Sequence, residues 1–119
     1  MTNILVVEDE VDIRDLVMLR LELAGHTVSF AENGKIGREK ALADLPDLVL
    51  LDMHMPVMSG HEAIKKLRER DYTGLVVGLT ASAMVTETNK AICSGCDAVI
   101  TKPITDNFED LVAGYIEEQ

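Results

Sequence analysis

"LVLLDMHMP", residues 48–56, places four apolar residues directly before Asp52 and follows that acid with a short stretch ending at Pro56. A continuous apolar run of this length, bounded by turn residues, reads as a strand buried on both faces. A carboxylate at the end of such a strand is costly unless something compensates it, because charge withdrawn from water has to be paired or neutralised. The reading of the whole chain turns on what stands beside Asp52.

"DLVLLD" (47–52) is the third of five short strand patterns, the others being "NILVV" (3–7), "TVSFA" (27–31), "LVVGLT" (75–80) and "AVIT" (98–101). In "TVSFA" the alternation puts Val28 and Phe30 on one side. Helical periodicity fills the gaps. The first helix is predicted from about Asp12 to Ala24, with Ile13, Leu16, Val17, Leu21 and Ala24 on one face and Gly25 ending it. The second opens at Asn33-Gly34 and runs to about Leu42. The third starts at "SGHE" (59–62), which has the form of a capping box with Ser59 as N-cap and Glu62 three residues on, and reaches about Arg70. The last two cover 84–94 and Thr105 to Glu118. "KKLRER" (65–70) reads as a solvated helix face, whereas Met18, Leu19 and Leu23 give the first helix more apolar surface than one core-facing stripe needs. Strand and helix alternating in this way predict an α/β fold, with a parallel sheet covered by helices on both faces.

The chain of 119 residues is long enough for one domain with a proper core. Its aromatic fraction is 3% against 47% apolar residues, so that core is aliphatic. No apolar run approaches the roughly 18 residues of a membrane span, and "MTNILVVEDE" lacks the basic flank and long apolar stretch of a secretory signal. No membrane insertion and a cytoplasmic location are the expectations. Asp and Glu number 21 against 11 Lys and Arg, a net charge of −10. That argues against direct nucleic-acid binding, which relies on a basic surface, and suits a bound cation or a basic protein partner. Cys93 and Cys96 spell C-x-x-C, but at a helix end with Gly95 as C-cap, where the helix dipole has the wrong sign to stabilise a thiolate. Two cysteines alone do not make a four-ligand zinc site.

In folds of this class the chemistry lies beyond the carboxyl ends of the strands. There the sequence puts Glu8, Asp9 and Glu10 after the first strand, Asp52 at the end of the third, Thr80 at the end of the fourth, and Thr101 and Lys102 at the end of the fifth. With these strands as neighbours, the carboxylates converge and repel one another unless a cation joins them. An all-oxygen donor set selects a hard metal, Mg2+ before zinc. Glu10 is expected only to cap the first helix. Such a site suits phosphoryl transfer to a carboxylate: Asp52 as nucleophile, the metal and Lys102 neutralising phosphoryl oxygens, and Thr80 hydrogen-bonding one of them. The small side chain of Ala81 leaves room for the phosphoryl group.

"ILVVEDE", "LLDMHMPVMSG", "LTAS" and "TKPI", in this order and spacing, resemble the four signatures of the response-regulator receiver domain of two-component signalling, over essentially the whole chain. The resemblance implies a flavodoxin-like doubly wound (βα)5 fold with sheet order 2-1-3-4-5, and a single receiver domain over 1–119 with no effector domain. It implies that Asp52 is the phosphoacceptor for a phosphohistidine on a histidine kinase or histidine phosphotransfer protein. Asp9 would ligate Mg2+ directly, Glu8 through water, and His54 through its backbone carbonyl; Glu8 stands where the family commonly has Asp. Lys102 matches the family's lysine, and its bond to Pro103 is cis in the family. Val99 replaces the Tyr or Phe often found in receivers that signal by dimerisation, which favours a phosphorelay receiver or one read through another face, as a monomer or weak dimer. In the family the first helix often docks the helical, histidine-bearing partner. His54 and Ser82 flank the phosphoryl position and are expected to tune hydrolysis. Such a protein is a signalling receiver that catalyses only its own phosphorylation and dephosphorylation.

Three other readings compete. A hydrolase of the haloacid-dehalogenase type needs a second Asp where His54 stands. Flavin binding on this fold wants a Ser/Thr/Gly-rich loop where "EDEVDI" lies. A degenerate receiver would act as a phosphorylation-independent binding module, which the set Asp9, Asp52, Thr80 and Lys102 speaks against.

Overall fold

The computed structural model describes residues 2–54, 59–80, 85–101 and 107–117, and their side chains except at 85–88 and 93. Strands and helices alternate: β1 Asn3–Val7, α1 Val11–Leu23, β2 Thr27–Ala31, α2 Gly34–Asp44, β3 Leu48–Asp52, α3 Gly60–Glu69, β4 Leu75–Thr80, α4 Val85–Ser94, β5 Ala98–Thr101 and α5 Phe108–Glu117. All strand pairings are parallel, in the order β2-β1-β3-β4-β5. This is the doubly wound, flavodoxin-like sheet expected. Thr105, the predicted start of the last helix, and Glu118, its predicted end, lie outside the described residues.

Burial explains the strand patterns. Every residue of β3 and β4 is buried, and so is all of β1 except Asn3. These strands carry helices on both faces, so their sequences are continuously apolar. The edge strand β2 buries only Ala31 fully. On one face, Leu5, Val7, Val49, Leu51 and Val76 pack with Ala41 of α2, Ala63, Ile64 and Leu67 of α3, and Ala91 of α4. On the other, Ile4, Val6, Leu48, Leu50 and Leu79 pack with Val17 and Leu21 of α1 and with Phe108 and Val112 of α5.

The caps follow the side chains available. Asn33 accepts a hydrogen bond from the Ile36 N–H at 2.9 Å and opens α2; Ser59 accepts from the Glu62 N–H at 3.2 Å and opens α3. Glu10 departs from expectation. It occupies the N-cap of α1, but its side chain makes no capping hydrogen bond, and its own N–H donates to the Glu8 carboxylate at 3.3 Å.

Two expectations about helix faces are corrected. On α1 the inward stripe is Ile13, Val17, Met18 and Leu21, while Leu16 and Ala24 are exposed. Leu16, Leu19 and Leu23 instead form an outer stripe at i, i+3, i+7, with Leu19 55% and Leu23 79% exposed. Within "KKLRER", Arg68 is half-buried rather than solvated. It turns back and donates to the carbonyls of Gly95, Tyr72 and Gly74 at 3.0, 2.7 and 2.9 Å, and to Asp97 Oδ2 at 3.0 Å. Among the described residues, no helix is long and apolar enough to cross a membrane.

Candidate functional site

Across the β1–β3 pair Val7 is in register with Leu51, so the next residue along each strand direction, Glu8 after β1 and Asp52 at the end of β3, stands at the same level. This is where the strand order reverses, the place at which the connections on the two sides diverge and leave a crevice. Carboxylate oxygens of Glu8, Asp9 and Asp52 all lie within 4.8 Å of one another there. Glu8 is 0% and Asp52 3% exposed, and Asp9 is half-buried. Anions held this close and out of water call for a cation. The donor set is all oxygen, and carboxylates of this kind fit a hard divalent ion.

The Asp52 carboxylate is held from its own chain, with the His54 N–H donating to Oδ1 at 3.0 Å. Because Asp52 pairs with Leu79, the next residue of β4, Thr80, stands at the same edge, 2% exposed. The His54 side chain is exposed and meets His61 edge to face, with ring centroids 6.3 Å apart. His61 Nδ1 in turn lies 3.2 Å from Ser94 Oγ, joining α3 to α4. Cavities of about 340 Å³ beside Leu45, Pro46 and Tyr72, and of about 400 Å³ beside Arg20 and Leu23, lie away from these acids.

The fold thus brings together Glu8, Asp9, Asp52, Thr80 and the backbone of His54. Ala81, Ser82, Lys102 and Pro103 lie outside the described residues. Val99 is partly buried and packs into the cluster beneath α3 and α4. Cys96 is buried and free, and burial pushes its thiol up to about 12, opposite to what redox chemistry needs. Residues that the sequence reading passed over are Met53, Gly60 and Gly78, which pack together directly under the site. A glycine inside an otherwise apolar strand was the available signal, since it marks a close approach.

The response regulator receiver domain model matches residues 4–113. The response regulator ArlR of Staphylococcus epidermidis is 34% identical over 113 residues, covering 95% of this chain and 50% of that protein. The DNA-binding dual master transcriptional regulator RpaA of Synechocystis is 34% identical over 115 residues, 95% of this chain and 47% of its own. The chain therefore spans about half the length of the curated relatives it matches. Among solved structures, the chemotaxis protein CheY4 of Vibrio cholerae superposes with a TM-score of 0.89 at 26% identity over 98% of both chains. The response regulator TrrA of Thermotoga maritima, in complex with Mg2+–BeF, gives 0.85 at 30% identity over 97% of this chain and 99% of that one. A match that runs through all five strands, on a sheet of the same order, has one meaning: the chain belongs to the response-regulator receiver domain family of two-component signalling proteins.

Proposed function

We propose that Asp52 accepts a phosphoryl group from a phosphohistidine, on a histidine kinase or a histidine phosphotransfer protein, and later loses it to water or to a further acceptor. The observation that carries this reading is the convergence of the Glu8, Asp9 and Asp52 carboxylates within 4.8 Å at the ends of β1 and β3. Mg2+ is the ion we assign, with Asp9 and Asp52 as carboxylate ligands, His54 through its backbone carbonyl and Glu8 through water; when bound it supplies positive charge to the phosphoryl oxygens. The Mg2+–BeF complex of the Thermotoga regulator supports that choice.

With one Asp52 oxygen held by the His54 N–H, the other bonds to phosphorus as the P–N bond breaks. The electron pair stays on the ring nitrogen, and a neutral imidazole leaves when its other nitrogen carries a proton. Thr80 donates a hydrogen bond to one phosphoryl oxygen and Lys102 neutralises another. Hydrolysis reverses the bond: water attacks phosphorus, and the Asp52 carboxylate and inorganic phosphate are released. The chain catalyses these steps only on itself.

The exposed stripe Leu16, Leu19 and Leu23 on α1 supports docking of a helical donor there, with Asp15 and Arg20 beside it. Val99, without a ring to turn, supports a relay receiver or one read through another face, as a monomer or weak dimer acting in the cytoplasm. A phosphorylation-independent binding module is the weaker reading, because it gives no role to three clustered carboxylates.

Intact-protein mass spectrometry after incubation with Mg2+ and a small acyl-phosphate donor tests the proposal, beside Asp52→Asn and an EDTA control. One phosphate adduct that needs both Asp52 and the metal is expected. No adduct on the folded wild-type chain overturns it.

A further inference from the structure

We propose that Met53 is a positioning residue for the Asp52 site. The inference deepens the phosphoryl-transfer reading and rests on it. Met53 follows the acceptor aspartate and is 1% exposed, packed into the cluster beneath α3 and α4. Its backbone is tied on both sides: its N–H donates to the Leu79 carbonyl at 2.9 Å, and its carbonyl accepts from the Gly60 N–H at 3.3 Å.

The thioether sits between two glycines and a thiol. A Cβ on Gly78 would lie 2.9 Å from the Met53 sulfur; a Cβ on Gly60 would lie 2.9 Å from the same sulfur and 2.4 Å from the Asp52 carbonyl oxygen. Contacts under 3.0 Å are ones that real Cβ atoms essentially never show. Cys96 Sγ closes the third side, 3.9 Å from Sδ. Glycine weakens the interior of a buried strand such as β4, and a close approach is the reason to keep one there. Gly78 shares a face with Thr80, two residues on, so the thioether lies against the same face of β4 that carries Thr80.

One side chain therefore rests against the start of α3 at Gly60, against β4 at Gly78, and against Cys96 in the turn before β5. Its backbone joins Asp52 to His54, whose N–H orients the Asp52 carboxylate. Displacing Met53 turns this segment and moves the carboxylate and the His54 carbonyl together, away from Glu8 and Asp9. An unbranched thioether suits such an irregular gap, leucine nearly conserves its volume, and alanine empties it.

The test compares wild type, Met53→Ala, Met53→Leu and Gly78→Ala, each checked for folding by circular dichroism. Two quantities are read: the Mg2+ dissociation constant by calorimetry, and the rate of phosphorylation by a small phosphoramidate at saturating Mg2+. Met53→Ala is expected to weaken Mg2+ binding about tenfold and to slow phosphorylation by about tenfold or more. Met53→Leu is expected to restore both to within about threefold. Gly78→Ala keeps Met53 but forces its flexible thioether aside, and is expected to weaken both quantities in the same direction by less than Met53→Ala does. Wild-type affinity and rate in folded Met53→Ala or Gly78→Ala overturn the inference, and if Met53→Ala does not fold, Gly78→Ala with Met53→Leu decides. A wild-type chain that takes no phosphate overturns the transfer reading instead, and the Mg2+ affinities then still decide whether Met53 places the carboxylates.

Discussion

Arg20 of α1 holds Glu109 of α5 in a two-bond fork, Nε on Oε1 and Nη2 2.7 Å from Oε2, with the guanidinium 5.7 Å from the ring centroid of buried Phe108. The fork ties together the two helices that cover one face of the sheet. The hydrogen bonds from Arg20 hold the Glu109 carboxyl below the usual glutamate range. The folded value is thus lower than the unfolded one, so the pair's contribution is complete above about pH 4.3. It is lost as pH falls through the lowered value. Arg20→Met is expected to cost about 0.5–1 kcal/mol in urea unfolding at neutral pH, because the pair is partly solvent-screened. The difference from wild type should shrink in acid. A difference that stays constant would mean that Arg20 acts by packing on Phe108 alone.

Arg68 contributes more, because its partners are backbone carbonyls with few alternatives. It serves three of them and Asp97, whose Oδ2 also accepts from the Val76 N–H at 2.9 Å. Arg68→Met is expected to destabilise by roughly 2–3 kcal/mol, and Arg68→Lys to recover little, since an ammonium lacks the planar fork. Denaturant midpoints check both.

Cys96 should be inert in the native protein. A thiol pushed up to about 12 from 9.0 carries roughly a thousandfold less thiolate at neutral pH. In a Cys93→Ser background, iodoacetamide is expected to label Cys96 only as fast as the chain opens, and fully in urea. Rapid native labelling would contradict the packing described.

Gly114→Ala tests α5. A Cβ at Gly114 meets nothing within 4 Å, so the helix gains propensity without a clash. A stabilisation of about 0.5–1 kcal/mol is expected by urea unfolding.

His54→Ala and Ser82→Ala are expected to change the lifetime of the Asp52 phosphate, followed by mass spectrometry after the donor is removed. His54 has an exposed side chain one residue past Met53. Unchanged decay in both variants would remove these side chains from the hydrolytic step.

The strands and their chemistry were legible because each signal is local. Apolar runs such as "LVLL" and "LVV" leave no polar face and so declare strands buried on both sides. A βα repeat sends every strand end to one edge of the sheet. Asn33 and Ser59 announced their helices because a cap is made within a few residues.

What the chain's own residues could not decide is how distant groups meet. The register of Val7 with Leu51, which brings Glu8 beside Asp52, is a property of two paired strands; family resemblance implied the strand order but not this register. Leu16 and Met18 exchanged places because α1 is apolar around much of its girth, so docking on the sheet, not periodicity, chose its inner face. Arg68 looked solvated because its acceptors are main-chain carbonyls, which every residue carries and no sequence marks. The Met53–Gly78 fit was hidden for the same reason. A strand glycine says that something approaches closely, and only the packed sheet says what. The charges, the burial of the "NILVV" and "LVLL" strands, and the helix openings at Asn33 and Ser59 are written in the sequence itself. The tertiary structure decided which of those residues touch, because contact energy depends on distances that chain order does not contain.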